Sequence, residues 1–220
     1  MSGLPRFSVL DPSVRLTDDL IMRHIPSGSR VIDLGCGDGR LMSRLSSELK
    51  CDVLGVDVEH QNIVSVVSRG LPAISLDLNE GLREIPDSTF DYAVLSQTLQ
   101  QVERPRPLLL EMMRVAKRGL VVIPNFGHWR VRYEVLVHGR TPITEALPYE
   151  WHESPNLHFM SMYDFRALMN SIGMRIVEEI PINGGRAHEK MWAANLRADS
   201  AFYLLERNTD DSSSPQRPSR

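Results

Sequence analysis

From residue 29 to about residue 123 apolar runs of strand length alternate with stretches patterned for helix. RVIDL is one such run, and the segment from Asp38 to Lys50 sets Leu41, Met42, Leu45 and Leu49 on one helical face. DVLGVDV predicts a second strand; Ile63, Val64 and Val67 then mark a helix that stops at Gly70, with Pro72 just beyond. AISLDL and FDYAVLSQ follow as strands three and four. Leu109, Met112, Met113 and Ala116 give the next helix its apolar face, and Lys117 and Arg118 are expected to close it at the negative end of its dipole, before Gly119. LVVIP is the fifth strand. This alternation predicts an α/β fold with a parallel sheet covered by helices.

Beyond Pro124 the rhythm breaks. Residues 125–160 have no clear period but are rich in His, Arg and Pro, with aromatics in FGHW, RYE and YEW, which predicts an ordered, elaborated loop or cap. Helix and strand resume with MYDFRALMNSIG and MRIVEEIPI, and SAFYLLE supplies a seventh strand. The expected organisation is a single domain over 1–207 with the insert at 125–160. NTDDSSSPQRPSR, residues 208–220, has nothing to bury and is expected to be disordered.

At 220 residues, 42% hydrophobic and 24% charged, the chain can build one core of ordinary size. Its net charge of −3 gives no global basic field for nucleic acid or anionic lipid. The opening MSGLPRFSVLDPSVRL lacks the apolar core of a signal peptide, and no apolar run is long enough to cross a bilayer, so a cytoplasmic protein is expected. Cys36 and Cys51 form neither a disulfide framework nor a CxxC pair, and no metal site is expected.

The candidate chemistry lies in VIDLGCGDGR, residues 31–40. Gly35, Gly37 and Gly39 follow the first strand behind Asp33, in a turn of the kind that lets a ligand approach bare backbone. A dinucleotide fingerprint needs glycine where Arg40 stands, and no Gly-Lys-Ser/Thr follows to hold the outer phosphates of a nucleotide. Cys36 reads as a small buried side chain rather than a nucleophile. Ordinary readings stand beside these: a glycine turn is often only a tight strand-to-helix connection, and an Asp after a strand is often a helix cap.

The pattern D-x-G-x-G-x-G resembles the cofactor loop of class I methyltransferases, which bind S-adenosylmethionine. The resemblance implies that Asp33, Gly35, Cys36, Gly37 and Gly39 receive the amino-acid end of that ligand, with backbone N–H groups for the ligand's carboxylate. It implies that Asp57 in LGVDVE, or less readily Glu59, accepts from the ribose hydroxyls, with Val58 beside it. Asp77 in LDLN would stand near the adenine amine and Leu78 would pack on the ring, while Ser96 and Gln97 in SQTLQQVERP would run under the cofactor. Gln100 and Gln101 depart from the pattern, because many members carry a histidine there.

PNFGHWRVR, GRTPITEALPYEWHESPNLHFMSMYDF and NGGR are in turn similar to the MetW proteins of bacterial methionine biosynthesis, and the likeness runs from about Leu10 to Arg207. It implies a Rossmann-like class I methyltransferase fold, a mostly parallel seven-stranded sheet with helices on both faces. It also implies a protein that works with homoserine O-acyltransferase, which acylates homoserine, and is needed for that enzyme's full activity. Two functions of different class follow. In one the chain is a regulatory partner that docks through its insert, with Trp129, Arg132, Tyr133 and Trp151 as anchors. In the other it is a methyltransferase of a small acceptor, with the insert as lid. Candidate bases are His128, His152 and His158, and Arg130, Arg132 and Arg140 are candidate clamps for an acidic substrate; packing and solvation are the ordinary readings of both sets.

Overall fold

Strand β1, Arg30–Leu34, is the pivot of the fold. It pairs in parallel with β2, Asp52–Asp57, on one side and with β4, Phe90–Ser96, on the other, so chain order reverses at its C-terminal edge. Neighbours cover both faces of β1, which is why its four residues from Val31 to Leu34, Asp33 among them, are all buried rather than alternately exposed. The computed structural model describes residues 12–144, 147 and 149–208. Residues 1–11, including Leu10 where the family likeness begins, lie outside the described residues, as does the expected disordered tail from 209 onward.

The remaining elements complete an α/β sandwich. Helices α1 (Pro12–His24), α2 (Arg40–Leu49) and α3 (His60–Ser68) precede strand β3 (Ala73–Ser75); α4 (Pro105–Val115) leads into β5 (Ala116–Pro124). Next come α5 (Trp129–Tyr133), α6 (Met162–Ser171), β6 (Met174–Asn183), β7 (Arg186–Ala187), α7 (Ala194–Arg197) and β8 (Ser200–Arg207). The sheet order is β3-β2-β1-β4-β5-β8-β6-β7. The first five strands run parallel; β8 is antiparallel to both β5 and β6, and β6 to β7. The seven expected strands are all present, and the two-residue β7 adds an eighth at the edge.

Period-two alternation distributes the core. Ile32 and Leu34 point to the face packed by Leu108 and Met112 of α4 and Phe165 and Met169 of α6. Val31 points to the other, where Leu20 and Ile21 of α1, Leu41, Met42 and Leu45 of α2, and Val66 of α3 are buried. A capping box at Ser161 and Asp164 starts α6.

One expectation is overturned. Lys117 and Arg118 do not close α4, which ends at Val115; they and Gly119 lie within β5. The reason is pairing on both sides. Arg118 stands opposite Tyr92 and Glu206 in register, with ion pairs from Arg118 to Glu206 at 2.7 Å and from Lys117 to Asp91 at 2.8 Å, and strand hydrogen bonds outweigh a helical dipole cap.

Candidate functional site

Ligands of doubly wound sheets lie at the carboxyl edge where strand order reverses, here between β1 and β4. The glycine turn occupies that edge. Gly35, Gly37 and Gly39 have φ of +80°, +55° and +77°, a left-handed conformation that favours glycine. Their surroundings differ. A Cβ on Gly35 would stand 2.5 Å from Thr98 Oγ1, and one on Gly39 2.8 Å from Val66 Cγ2, so both are glycines because the fold closes on them. A Cβ on Gly37 would meet nothing within 4 Å. Gly37 therefore faces open space, the cradle that a ligand would fill.

The N–H groups of Gly35, Cys36, Gly37 and Gly39 are engaged within the protein. Gly35 and Cys36 both donate to Val56 O, at 2.8 and 3.0 Å, and Gly39 donates to Cys36 O at 3.1 Å. Gly37 N–H donates to Asp57 Oδ2 at 2.9 Å, and Glu59 N–H to Asp57 Oδ1 at the same distance. Each Asp57 oxygen keeps a lone pair for a further donor such as a hydroxyl. The nearest cation in sequence is Arg40, whose guanidinium holds Asp18 of α1 through two hydrogen bonds.

Asp33 is the electrostatic centre of the site. It is 4% exposed, and among the described residues nothing donates a hydrogen bond to its carboxylate. Burial, with the Asp18 and Asp57 charges nearby, pushes its pKa up to about 7, only partly offset by Arg40. Burial likewise raises Asp18 to about 6 despite Arg40 and Arg44. A buried carboxylate without a donor fits a ligand that is cationic at its amino-acid end, as S-adenosylmethionine is through its ammonium and sulfonium.

The other expected site residues fall on the same edge in varied roles. Cys36 is buried with its thiol pushed up to about 12, chiefly by burial, and packs where a Cβ on Gly55 would stand, so it is a protonated packing residue. Val58 is exposed beside Asp57. Asp77 Oδ1 accepts from Asn79 N–H at 2.9 Å in the turn after β3, and Leu78 is buried against the main core. Ser96 O accepts from Thr98 Oγ1 at 3.1 Å, and Gln97 has φ +57°. Asp18, Arg40 and Thr98 escaped the sequence reading because contacts across 22 to 63 residues leave no local period.

The insert is built on a polar knot. Asn125 Nδ2 donates to Asn195 O and Ala198 O at 3.0 and 2.7 Å, and its Oδ1 accepts from Gly127 N–H at 2.9 Å. His128 is buried, lies 3.5 Å from Asp199 and caps α5 by accepting from Arg130 N–H; burial lowers its pKa. Arg132 Nε donates to Gly127 O at 2.7 Å, so this residue braces the loop, whereas Trp129, Tyr133 and Trp151 are exposed. His158 and His152 are separately engaged, at Glu103 O and beside Glu150. Among the described residues no helix is long and apolar enough to cross a membrane, and no cluster of three or more His, Cys, Asp or Glu could hold a metal.

Comparison with known proteins agrees with this architecture. A possible histamine N-methyltransferase of Thermotoga maritima, described as SAM-dependent, superposes with a TM-score of 0.65 at 18% identity, covering 88% of this chain and 89% of its own. An S-adenosylmethionine-dependent methyltransferase of Mesorhizobium loti gives 0.64 at 17% identity over 87% and 98%. These likenesses establish the fold. A demethylmenaquinone methyltransferase of Bacillus licheniformis is 25% identical over 76% of this chain and 79% of its own. The bifunctional methionine biosynthesis protein MetXA/MetW of Rhodopirellula baltica is 33% identical over 90% of this chain, which spans 33% of that longer protein. The family model of methionine biosynthesis protein MetW matches residues 15–205. By that match, this chain belongs to the MetW family.

Proposed function

We propose that this chain is a regulatory partner of homoserine O-acyltransferase in methionine biosynthesis, that it binds S-adenosylmethionine at the β1–β4 edge, and that it reports the level of that ligand to the acyltransferase. The observation that carries the partnership is the Rhodopirellula relative, in which a MetW segment akin to nine-tenths of this chain is joined to MetXA in one polypeptide. Two parts covalently joined there would associate here as separate chains.

The surface supports a docking role. Trp129, Tyr133, Val135, Leu136 and Val137 stand exposed on α5 and the π-type turn Glu134–His138 after it, with Leu136 86% accessible. Trp151 is 75% and Trp192 82% accessible, and Asn195 contacts the root of the insert through Asn125. Large apolar side chains concentrated outside the core mark interaction surfaces. The test is co-purification of the chain with homoserine O-acyltransferase, followed by the acylation rate with and without it. An acyltransferase that neither binds the chain nor changes its rate would reject the partnership.

A second reading is favoured by one feature, a recess in the insert lined by Phe126, Leu147, Tyr149, Trp151 and Phe159. Its lining also includes Thr141, Ser154 and Asn156, and at about 40 Å³ it must open before it seats a methyl acceptor. Methyl transfer needs positioning more than a catalytic dyad. Label transfer from methyl-labelled S-adenosylmethionine to a quinone-type acceptor would establish this second function.

A further inference from the structure

Gln97 follows β4 with φ +57°, a left-handed conformation that strains a residue bearing a Cβ. Three bonds to its main chain hold it there, and its Oε1 also accepts from Gln100 Nε2 at 3.4 Å. Its N–H donates to Val122 O at 3.0 Å, and its carbonyl oxygen accepts from the side-chain amides of Gln100 and Gln101, each at 2.9 Å. A carbonyl has two lone pairs, so Gln97 O is full. Gln100 is 3% exposed, and its Oε1 is buried without a hydrogen-bond partner, a state that costs stability. The turn is thus held with one strained residue and one unsatisfied acceptor, and a new donor at Gln97 O must displace a glutamine amide.

Gln100 also carries the insert. Its main-chain oxygen accepts from Leu157 N–H at 2.8 Å and His158 N–H at 3.1 Å, and the His158 ring lies 3.3 Å from Glu103 O. Phe126 N–H donates to Met160 O at 3.0 Å and anchors the insert's base. A shift of Gln100 therefore moves residues 157 and 158 relative to that base.

We propose that Gln100 is the positioning residue through which ligand capture at the end of β4 reaches the insert. A donor on the ligand takes Gln97 O, the Gln100 amide is released and turns until its Oε1 finds a donor, and the 156–159 segment shifts with it. The inference rests on the reading of this edge as an S-adenosylmethionine site and gives the insert two arrangements that the ligand can bias.

Hydrogen exchange of the full chain, with and without S-adenosylmethionine, tests this once calorimetry has measured binding to each variant. In the wild type the ligand is expected to change exchange of the 156–159 amides by fivefold or more, the lower bound of about 1 kcal/mol for allosteric coupling. In Gln100→Leu, or in Gln100→Met should the leucine variant not fold, the ligand still binds but the change falls below about twofold. Gln101→Leu opens one acceptor position on Gln97 O, so the ligand's donor no longer has to displace the Gln100 amide and the response falls there as well. Ligand bound with unaltered exchange in the wild type, or an equal response in the Gln100 variant, overturns the role of Gln100 and leaves the binding site standing. No binding heat in any variant overturns the site and this role together.

Discussion

The main-chain N–H of Gly37 donates to Oδ2 of Asp57 across 2.9 Å, tying the glycine turn after β1 to the acid at the end of β2. Asp57 accepts from Glu59 N–H on its other oxygen. The residue expected to receive ribose hydroxyls is therefore also a brace, and any substitution there acts on ligand and fold together.

Asp57→Ala removes both functions. S-adenosylmethionine affinity should fall about tenfold to a hundredfold, and two N–H groups lose their partner, so stability falls as well. Asp57→Asn retains one acceptor oxygen and should recover most of the stability but not the affinity. Calorimetry and thermal melts on the two variants separate the effects; equal affinity in all three proteins would remove Asp57 from the site.

Substitutions at the glycines should divide by what each faces. Gly37→Ala adds a methyl in open space at φ +55°, a backbone cost of roughly 1–2 kcal/mol, so the protein folds but its ligand cradle is filled. Gly37→Val adds more bulk in the same place and binds more weakly still. Gly35→Ala collides with Thr98 at 2.5 Å and should lose more stability than Gly37→Ala. Melting temperatures in the reverse order would contradict this geometry.

The site should titrate through Asp33. Its folded pKa of about 7 lies above its ordinary 3.8, so the stability it contributes is complete below pH 4 and is lost as pH rises through 7. Asp33→Asn should therefore melt a few degrees above the wild type at pH 8 and close to it at pH 4. Ligand binding runs the other way. A cationic group binds the ionised carboxylate, so wild-type affinity should rise by up to about tenfold per unit between pH 5 and 7 and level off near pH 8. Ionisation of Asp18, which strengthens its pair with Arg40, belongs to the same window. A flat affinity profile would show that Asp33 stays away from the ligand's charge.

Partner binding should depend on exposed anchors rather than on the loop's brace. Trp129→Ala with Tyr133→Ala is expected to weaken acyltransferase binding by about tenfold or more with little change in melting temperature. Arg132→Ala should loosen the insert, because it removes the bond to Gly127 O. Surface plasmon resonance beside thermal melts distinguishes these outcomes, and full binding by the Trp129 and Tyr133 variant would place the contact elsewhere.

The sequence by itself determined the sheet and the edge where the candidate site lies, because both rest on local periods. Apolar runs of strand length, helical spacing in Leu41, Met42 and Leu45, and glycines at alternate positions are short-range requirements of backbone geometry and are written where they act. Tertiary structure decided what depends on approach between distant segments. Lys117 and Arg118 became strand because β4 and β8 flank them, and the turn's N–H groups were claimed by Val56 and Asp57 from the neighbouring strand. Likewise Asp18 met Arg40 across the turn, and the insert came to hang on Gln100 by main-chain bonds that any residue type can make. Such bonds leave no trace in side-chain pattern, which is why only the folded chain shows the turn after β4 and the insert joined through Gln100.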